Sequence, residues 1–233
     1  MTSERLTGSE FVVVDGLSVS VPVRSVLFEM RYAKDERAAA LQLSMAAYDD
    51  LVSIEEASAF ATPGLNGWIG IPKARAGIFL AEENCWSPQE LLMVLTWQLD
   101  AGFPRPLCNH PVFDLDGRHI GTPDLLDVEA GVVGEYDGKI HLAGDRRAVD
   151  LEREGAFRRA GLEYFTVVAA DLASPERIVQ RMAEARSRAR WERESARAWT
   201  VAPPAWWVPT VTVAQRRALT DAQRARFLRR RPG

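Results

Sequence analysis

Residues 121–141, GTPDLLDVEAGVVGEYDGKIH, constrain this chain most, because two extended segments there carry closely spaced carboxylates. Asp124 stands near the end of the first segment, and the second ends in EYDGK. Side chains alternate along a strand, so Glu135, Asp137 and Lys139 share one face if the strand stays regular. Two neighbouring strands that each bring a carboxylate to the same end supply the hard oxygen ligands that Mg²⁺ prefers. The pattern favours metal-assisted phosphodiester cleavage.

Length and composition indicate a globular protein. The chain has 233 residues, of which 47% are hydrophobic and 26% charged, enough for one large or two small domains with cores. No apolar run approaches the roughly 18 residues that a membrane span needs, and the N-terminus lacks an apolar signal core. We therefore predict a cytoplasmic protein without a membrane partner. Cys85 and Cys108 have no metal-ligand spacing and are predicted to be ordinary thiols.

Charge is distributed unevenly. Residues 177–233 contain 14 Arg and 4 acidic residues, a balance of +10 that leaves -13 for residues 1–176. One interpretation is a solvated helix face with a charged tail. The other is a contact with nucleic acid, because arginine neutralises phosphate charge.

The order of predicted elements indicates an α/β protein. Residues 1–85 form a hairpin at Asp15-Gly16 and then a small, mainly helical region. Residues 86–190 follow the order α-β-β-β-α-β-α, with strands at 111–115, 118–126, 131–136 and 163–169. That order predicts a mixed sheet flanked by helices. Residues 191–233 form a tail rich in Trp and Arg, with a helix predicted over 213–230.

Several residues of the second region, in order, resemble a known family. They are Pro123-Asp124, Glu135-x-Asp137-Gly138, His141, Asp150-x-x-Arg153 and Ala160-Gly161-Leu162 before a strand. They are similar to an uncharacterised nuclease-like family related to very-short-patch-repair endonucleases, with the restriction-endonuclease-like fold. The resemblance covers about residues 87–189. The preceding region resembles the segment found before this domain in actinobacterial members, often behind an antitoxin-like head.

The resemblance implies a metal-dependent DNA endonuclease, of a nicking or defence type, that uses Mg²⁺ or Mn²⁺. Asp124 and Glu135 match its metal ligands, and Glu90 matches the helix glutamate that completes the acidic cluster. Asp137 stands where the wider superfamily has lysine, so Lys139 or His141 is expected to take part in activating water. Histidine suits that role because its pKa is near neutral. A homodimer would let one such site per chain cut both strands.

Each candidate also has a structural interpretation. Glu90 is placed to cap its helix together with Ser87, which is compatible with the site. Asp124 and Asp137 suit turns, and His141 suits a surface. Glu135 can be a surface carboxylate, although an inward-facing one in VVGEY is costly unless it is paired or liganded.

The arginines and tryptophans leave further alternatives open. Arg153 forms either an exposed ion pair with Asp150 or a phosphate contact, and Arg146 and Arg147 are either solvated or face a phosphate. Burial is the favoured interpretation of the tail tryptophans, Trp191, Trp199, Trp206 and Trp207, and stacking on single-stranded nucleic acid is the alternative. The rival function is a non-catalytic nucleic-acid-binding regulator or antitoxin-like protein. An RNA-processing enzyme would use the same residues.

Overall fold

The structure is a computed structural model, and it describes residues 10–138 and 145–228. The chain divides into two compact units. The first contains the residues up to Glu83 together with Thr212–Thr220, and the second contains Asn84–Val211 and the residues from Asp221 onward. Among the described residues, every helix is too short or too polar to cross a bilayer.

In chain order the elements are β1 (Phe11–Val14), β2 (Leu17–Ser20), α1 (Pro22–Tyr32), α2 (Glu36–Tyr48), α3 (Ile54–Phe60), α4 (Ile71–Leu80), α5 (Pro88–Leu95), β3 (Leu107–Cys108), β4 (Val112–Asp114), β5 (His119–Gly121), β6 (Leu125–Asp127), β7 (Val132–Asp137), α6 (Asp145–Arg159), β8 (Glu163–Val168), α7 (Pro175–Arg188), β9 (Trp199–Thr200), α8 (Val213–Arg217) and α9 (Asp221–Phe227).

The first unit is the predicted hairpin followed by helices. β1 and β2 pair antiparallel with Val14 opposite Leu17, and the turn residues Asp15 and Gly16 have φ of 51° and 79°. α3 starts at the predicted capping box, in which Ser53 and Glu56 each accept the other's backbone N–H. Local turn and cap signals therefore define these boundaries.

The second unit is built on a four-stranded mixed sheet in the order β3-β6-β7-β8. β6 and β7 run antiparallel, whereas β7 and β8 run parallel and are connected through α6. Alternate side chains point to opposite faces, so Leu125 and Val132 belong to one core cluster, and Leu126 and Val133 belong to the other. The predicted α/β class and the presence of a mixed sheet are confirmed, but the predicted strand 111–115 does not belong to it, because β4 pairs with β5 and β9 in a separate antiparallel sheet.

One predicted strand was wrong. The segment 118–126 contains two strands that belong to different sheets, because β5 pairs with β4 and β6 pairs with β3 and β7. Thr122-Pro123-Asp124 separates them, and proline cannot donate a backbone hydrogen bond to a ladder. The break leaves Asp124 directly before β6. The short strand β3 was not predicted.

The tail also differs from its prediction. The helix predicted over 213–230 consists of two short helices, α8 and α9, that belong to different units. Trp199 is 4% exposed, as the favoured interpretation requires, and its strand β9 pairs with β4. Trp191 and Trp206 are exposed, so burial was the wrong interpretation for them.

Two arginines of the tail form ion pairs and hydrogen bonds with other residues of this chain. Arg216 is fully buried, its Nε lies 2.5 Å from Asp50 Oδ1, and it donates to the carbonyl oxygens of Ala47 and Glu83. Arg217 forms a surface ion pair of 2.7 Å with Glu56. These side chains tie α8 to the helices of the first unit.

We expect Arg216→Met to lower the free energy of unfolding by about 3–5 kcal/mol, because it removes one partner of an ion pair whose two side chains are largely buried. Arg217→Met is the control, and its exposed ion pair should cost about 1 kcal/mol or less. Urea denaturation followed by far-UV circular dichroism measures both variants. Equal losses in the two variants would contradict the structural role of Arg216.

Candidate functional site

Asp124 and Glu135 meet because of the register of β6 and β7. Leu125 pairs with Gly134, so one step further along the antiparallel register Asp124 lies opposite Glu135. Asp124 Oδ2 accepts the backbone N–H of Tyr136 at 2.7 Å. Two predicted site carboxylates therefore share one end of neighbouring strands.

The Asp124 carboxyl group lies in a strongly negative environment. The residue is only partly buried, but protein atoms surround its carboxyl group densely. Desolvation raises the pKa of Asp124 well above its ordinary value, and the negative charges of Glu90 and Glu135 raise it further. The N–H of Tyr136 and the charge of Arg153 oppose this shift without reversing it. The structure thus brings the three predicted acidic residues into electrostatic contact.

Glu135 has an arginine partner. Its carboxylate lies 2.8 Å from the Arg153 guanidinium, which also donates to the Thr122 carbonyl oxygen. Arg153 belongs to α6, the helix that crosses from β7 to β8. The Arg153 side chain thus reaches the site through its ion pair with Glu135, whereas the side chain of Asp150, the partner predicted for it, lies outside the described part of the chain.

Glu90 is turned toward the start of α5. Its carboxylate accepts the Trp86 N–H at 2.8 Å and the Asn109 Nδ2 at 2.7 Å, and it lies 3.0 Å from Ser87 Oγ. Ser87 Oγ in turn accepts the Glu90 N–H, so the predicted N-cap is confirmed. The Glu90 carboxylate accepts the Trp86 N–H rather than the Ser87 N–H, so the reciprocal half of the predicted capping box was wrong. With its oxygens engaged in this way, Glu90 acts on Asp124 through its charge.

Asn109 is a site residue that sequence reasoning missed. It is 2% exposed, its backbone N–H donates to the Asp124 carbonyl oxygen, and its Nδ2 donates to Glu90 and to the Asn84 carbonyl oxygen. It therefore joins the Glu90 carboxylate to the backbone of Asp124. Its φ of 44° is one that asparagine tolerates better than most residues. The preference of asparagine for such a backbone conformation is the only feature of the sequence that could have pointed to Asn109.

The remaining predicted site residues are Asp137, Lys139, His141, Arg146 and Arg147. Asp137 is exposed at the end of β7. Lys139 and His141 lie outside the described residues. Arg146 and Arg147 belong to the first turn of α6, and their side chains are not among those described.

The donor set fits a hard divalent cation in charge and chemistry. Mg²⁺ is commonly bound through one or two carboxylates while it keeps several waters, and Asp124 and Glu135 would hold it. Within residues 10–138 and 145–228, no three His, Cys, Asp or Glu side chains lie close enough together to hold a metal ion. Water would therefore complete such a coordination shell.

Comparison of the chain with family models, with curated proteins and with solved structures gives no match. The resemblance to nucleases related to very-short-patch-repair enzymes accordingly depends on the motif residues themselves.

We expect Asp124→Asn to raise the melting temperature at pH 8. Between the unfolded pKa of about 3.9 and its raised folded pKa, Asp124 binds more protons in the folded state than in the unfolded state. The free energy of unfolding therefore falls as pH rises through this window. Asparagine removes the charge and still accepts the Tyr136 N–H.

Melting temperatures from pH 4 to pH 8 test this expectation. The gain should be largest at pH 8 and should largely disappear near pH 4, where wild-type Asp124 is protonated in the folded state and about half protonated in the unfolded state. Asp116→Asn is the control, because its carboxylate is exposed and should leave the pH profile unchanged. A melting temperature for Asp124→Asn that is no higher than wild type at pH 8 would contradict the crowding of charge at Asp124.

Proposed function

We propose that this protein is a metal-dependent DNA endonuclease that hydrolyses phosphodiester bonds, as a nicking or defence-type enzyme. The supporting feature is the crowding of Asp124 by the negative charges of Glu90 and Glu135 at one end of two neighbouring strands. Such a site is stabilised by a divalent cation, which lowers the pKa of the carboxylates.

The arrangement of the second unit supports a restriction-endonuclease-like fold as part of this proposal. The helix α5 is followed by the sheet strands β3, β6 and β7, and α6 then crosses over to the parallel strand β8. The acidic residues lie on α5, directly before β6 and on β7. This order matches the family whose motif residues the chain resembles.

Mg²⁺ or Mn²⁺ would supply an activated water and neutralise charge that develops on the phosphate. Asp124 and Glu135 are the residues that would hold it, and the Tyr136 N–H orients Asp124. Arg153 orients Glu135, and its Nε is buried without a hydrogen-bond partner among the described residues. A guanidinium in this position can donate to a phosphate oxygen.

Three residues stay candidates for moving the proton of the attacking water. Asp137 lies two residues beyond Glu135 on β7, and Lys139 and His141 follow it in sequence. Arg146 and Arg147, at the start of α6, are candidates for contacts with the DNA backbone.

The rival function is a non-catalytic nucleic-acid-binding regulator or antitoxin-like protein with the same fold. The observation in its favour is the 2.8 Å ion pair between Glu135 and Arg153, which already neutralises one of the two proposed ligands. Asp124, by contrast, forms no ion pair with the described residues. That difference favours the enzyme.

A cleavage assay on supercoiled plasmid and on single-stranded DNA, with Mg²⁺ or Mn²⁺, tests the proposal. We expect Asp124→Asn and Glu135→Gln each to lower the rate by at least about 100-fold, because a bound cation contributes several kcal/mol to such a reaction. Glu163→Gln is the matched control, since Glu163 is an ion-paired carboxylate at the opposite end of the neighbouring strand β8. Its rate should equal that of wild type.

The form of the product and the DNA affinity complete this test. Nicked circles indicate a single site per molecule, whereas linear plasmid whose yield rises steeply with protein concentration indicates a homodimer. No cleavage, together with salt-sensitive DNA binding that both variants retain, would replace the enzyme with the regulator.

A further inference from the structure

Four aromatic rings form a connected aromatic cluster in the second unit: Phe113, His119, Trp206 and Trp207. The centroid of the Trp207 ring lies 4.9 Å from that of Phe113, 5.1 Å from that of His119 and 5.6 Å from that of Trp206. Phe113 is fully buried, whereas Trp206 is 63% exposed. The cluster therefore has a buried base and an exposed indole face.

The strands β4 and β5 hold the base of the cluster, whereas Trp206 and Trp207 lie in a turn. Phe113 in β4 pairs with His119 in β5, and β4 also pairs with β9, which begins at the buried Trp199. The backbone N–H of Trp207 donates to the Pro204 carbonyl oxygen and so closes a turn. An indole on such a support loses little conformational freedom when a ligand stacks on it.

The cluster is connected to the acidic site through one residue. His119 Nε2 lies 2.9 Å from Thr122 Oγ1, and the Thr122 carbonyl oxygen accepts from Arg153, the partner of Glu135. Thr122 precedes Asp124 by two residues, so their Cα atoms are at most about 7 Å apart. The His119 ring of the cluster and the acidic site thus lie within a few residues of each other on one segment of chain.

The His119 ring contributes an uncharged surface. His119 is exposed by surface area, but the protein atoms around its ring partly desolvate it and lower its pKa below the ordinary value; the positive charge of Arg153 lowers the pKa further, against a backbone hydrogen bond that raises it. The imidazole is therefore neutral at neutral pH, which suits stacking against an uncharged ring.

We propose that the aromatic cluster is a stacking site for an unpaired base of the DNA strand whose phosphate lies at Asp124. This inference rests on the proposed function and names its substrate class: single strands, overhangs or flaps. Aromatic side chains stack on any base, because every base has a π face. A paired base inside a duplex is already stacked on its neighbours. Arg153 is the cation that a connecting phosphate would meet between the rings and Asp124.

Binding without cleavage separates this site from the chemistry. In the Asp124→Asn background, fluorescence anisotropy at fixed salt gives the affinity for a labelled 12-nucleotide single strand and for the blunt duplex of the same sequence. We expect Trp206→Ala to weaken single-strand binding by about 5-fold to 100-fold, as loss of one stacked base does. Duplex binding should change by less than about twofold.

Two further variants serve as controls. Trp206→Phe keeps a ring for stacking and should restore most of the single-strand affinity. Trp191→Ala removes another exposed tryptophan, which packs on Arg186 outside the cluster, and should leave both affinities unchanged. Unchanged single-strand affinity in Trp206→Ala, or equal losses on single strand and duplex, would overturn the proposal.

The other outcomes are also decisive. If Trp206→Ala changes only the sedimentation of the protein alone, the exposed indole is a protein contact and the stacking site is wrong. Single-strand binding that needs Trp206, in a protein that cleaves nothing with Mg²⁺ or Mn²⁺, would keep the stacking site and reject the endonuclease. If cleavage needs Asp124 but the substrate preference is the same without Trp206, the endonuclease is kept and the stacking site is rejected.

Discussion

The antiparallel pairing of β6 with β7 is the constraint on which the candidate site depends. The pairing of Leu125 with Gly134 brings Asp124 beside Glu135, and a slip of one residue would exchange the two faces of the strand. Gly134 protects this register, because a Cβ atom at that position would lie 2.3 Å from the ring of Phe165 on β8. Close packing of three strands thus holds two carboxylates side by side.

The two ends of β6 show how differently the fold treats two aspartates. Asp127 is 3% exposed, pairs with Arg186 at 2.8 Å and accepts the N–H groups of Glu129 and Ala130, so its charge is well compensated. Asp124, at the other end, accepts one backbone N–H and faces two further carboxylates. Compensated charge is typical of a structural turn, whereas crowded charge is typical of functional sites. Desolvation and then repulsion between carboxylates raise the pKa of Asp124, and this repulsion lies among the motif residues.

Much of the local structure was predictable because its signals are local. The hairpin at Asp15-Gly16, the cap at Ser53 and the helix start at Ser87 follow from turn and capping chemistry. The spacing of Asp124 and Glu135 predicted that these two carboxylates share a site, and the resemblance to a family added Glu90. Asn109 was not predicted, because its role depends on a hydrogen bond to Glu90, nineteen residues away.

The sequence by itself determined the α/β class, the hairpin at Asp15-Gly16 and the helix starts at Ser53 and Ser87, because periodicity, turns and caps act over a few residues. Only the tertiary structure decided which charges are compensated. It buries Arg216 against Asp50, pairs Arg153 with Glu135 and leaves Trp206 exposed in the aromatic cluster. These outcomes depend on contacts between residues that lie far apart in the chain, and the free energy of burying or pairing a charge is set by its neighbours in space.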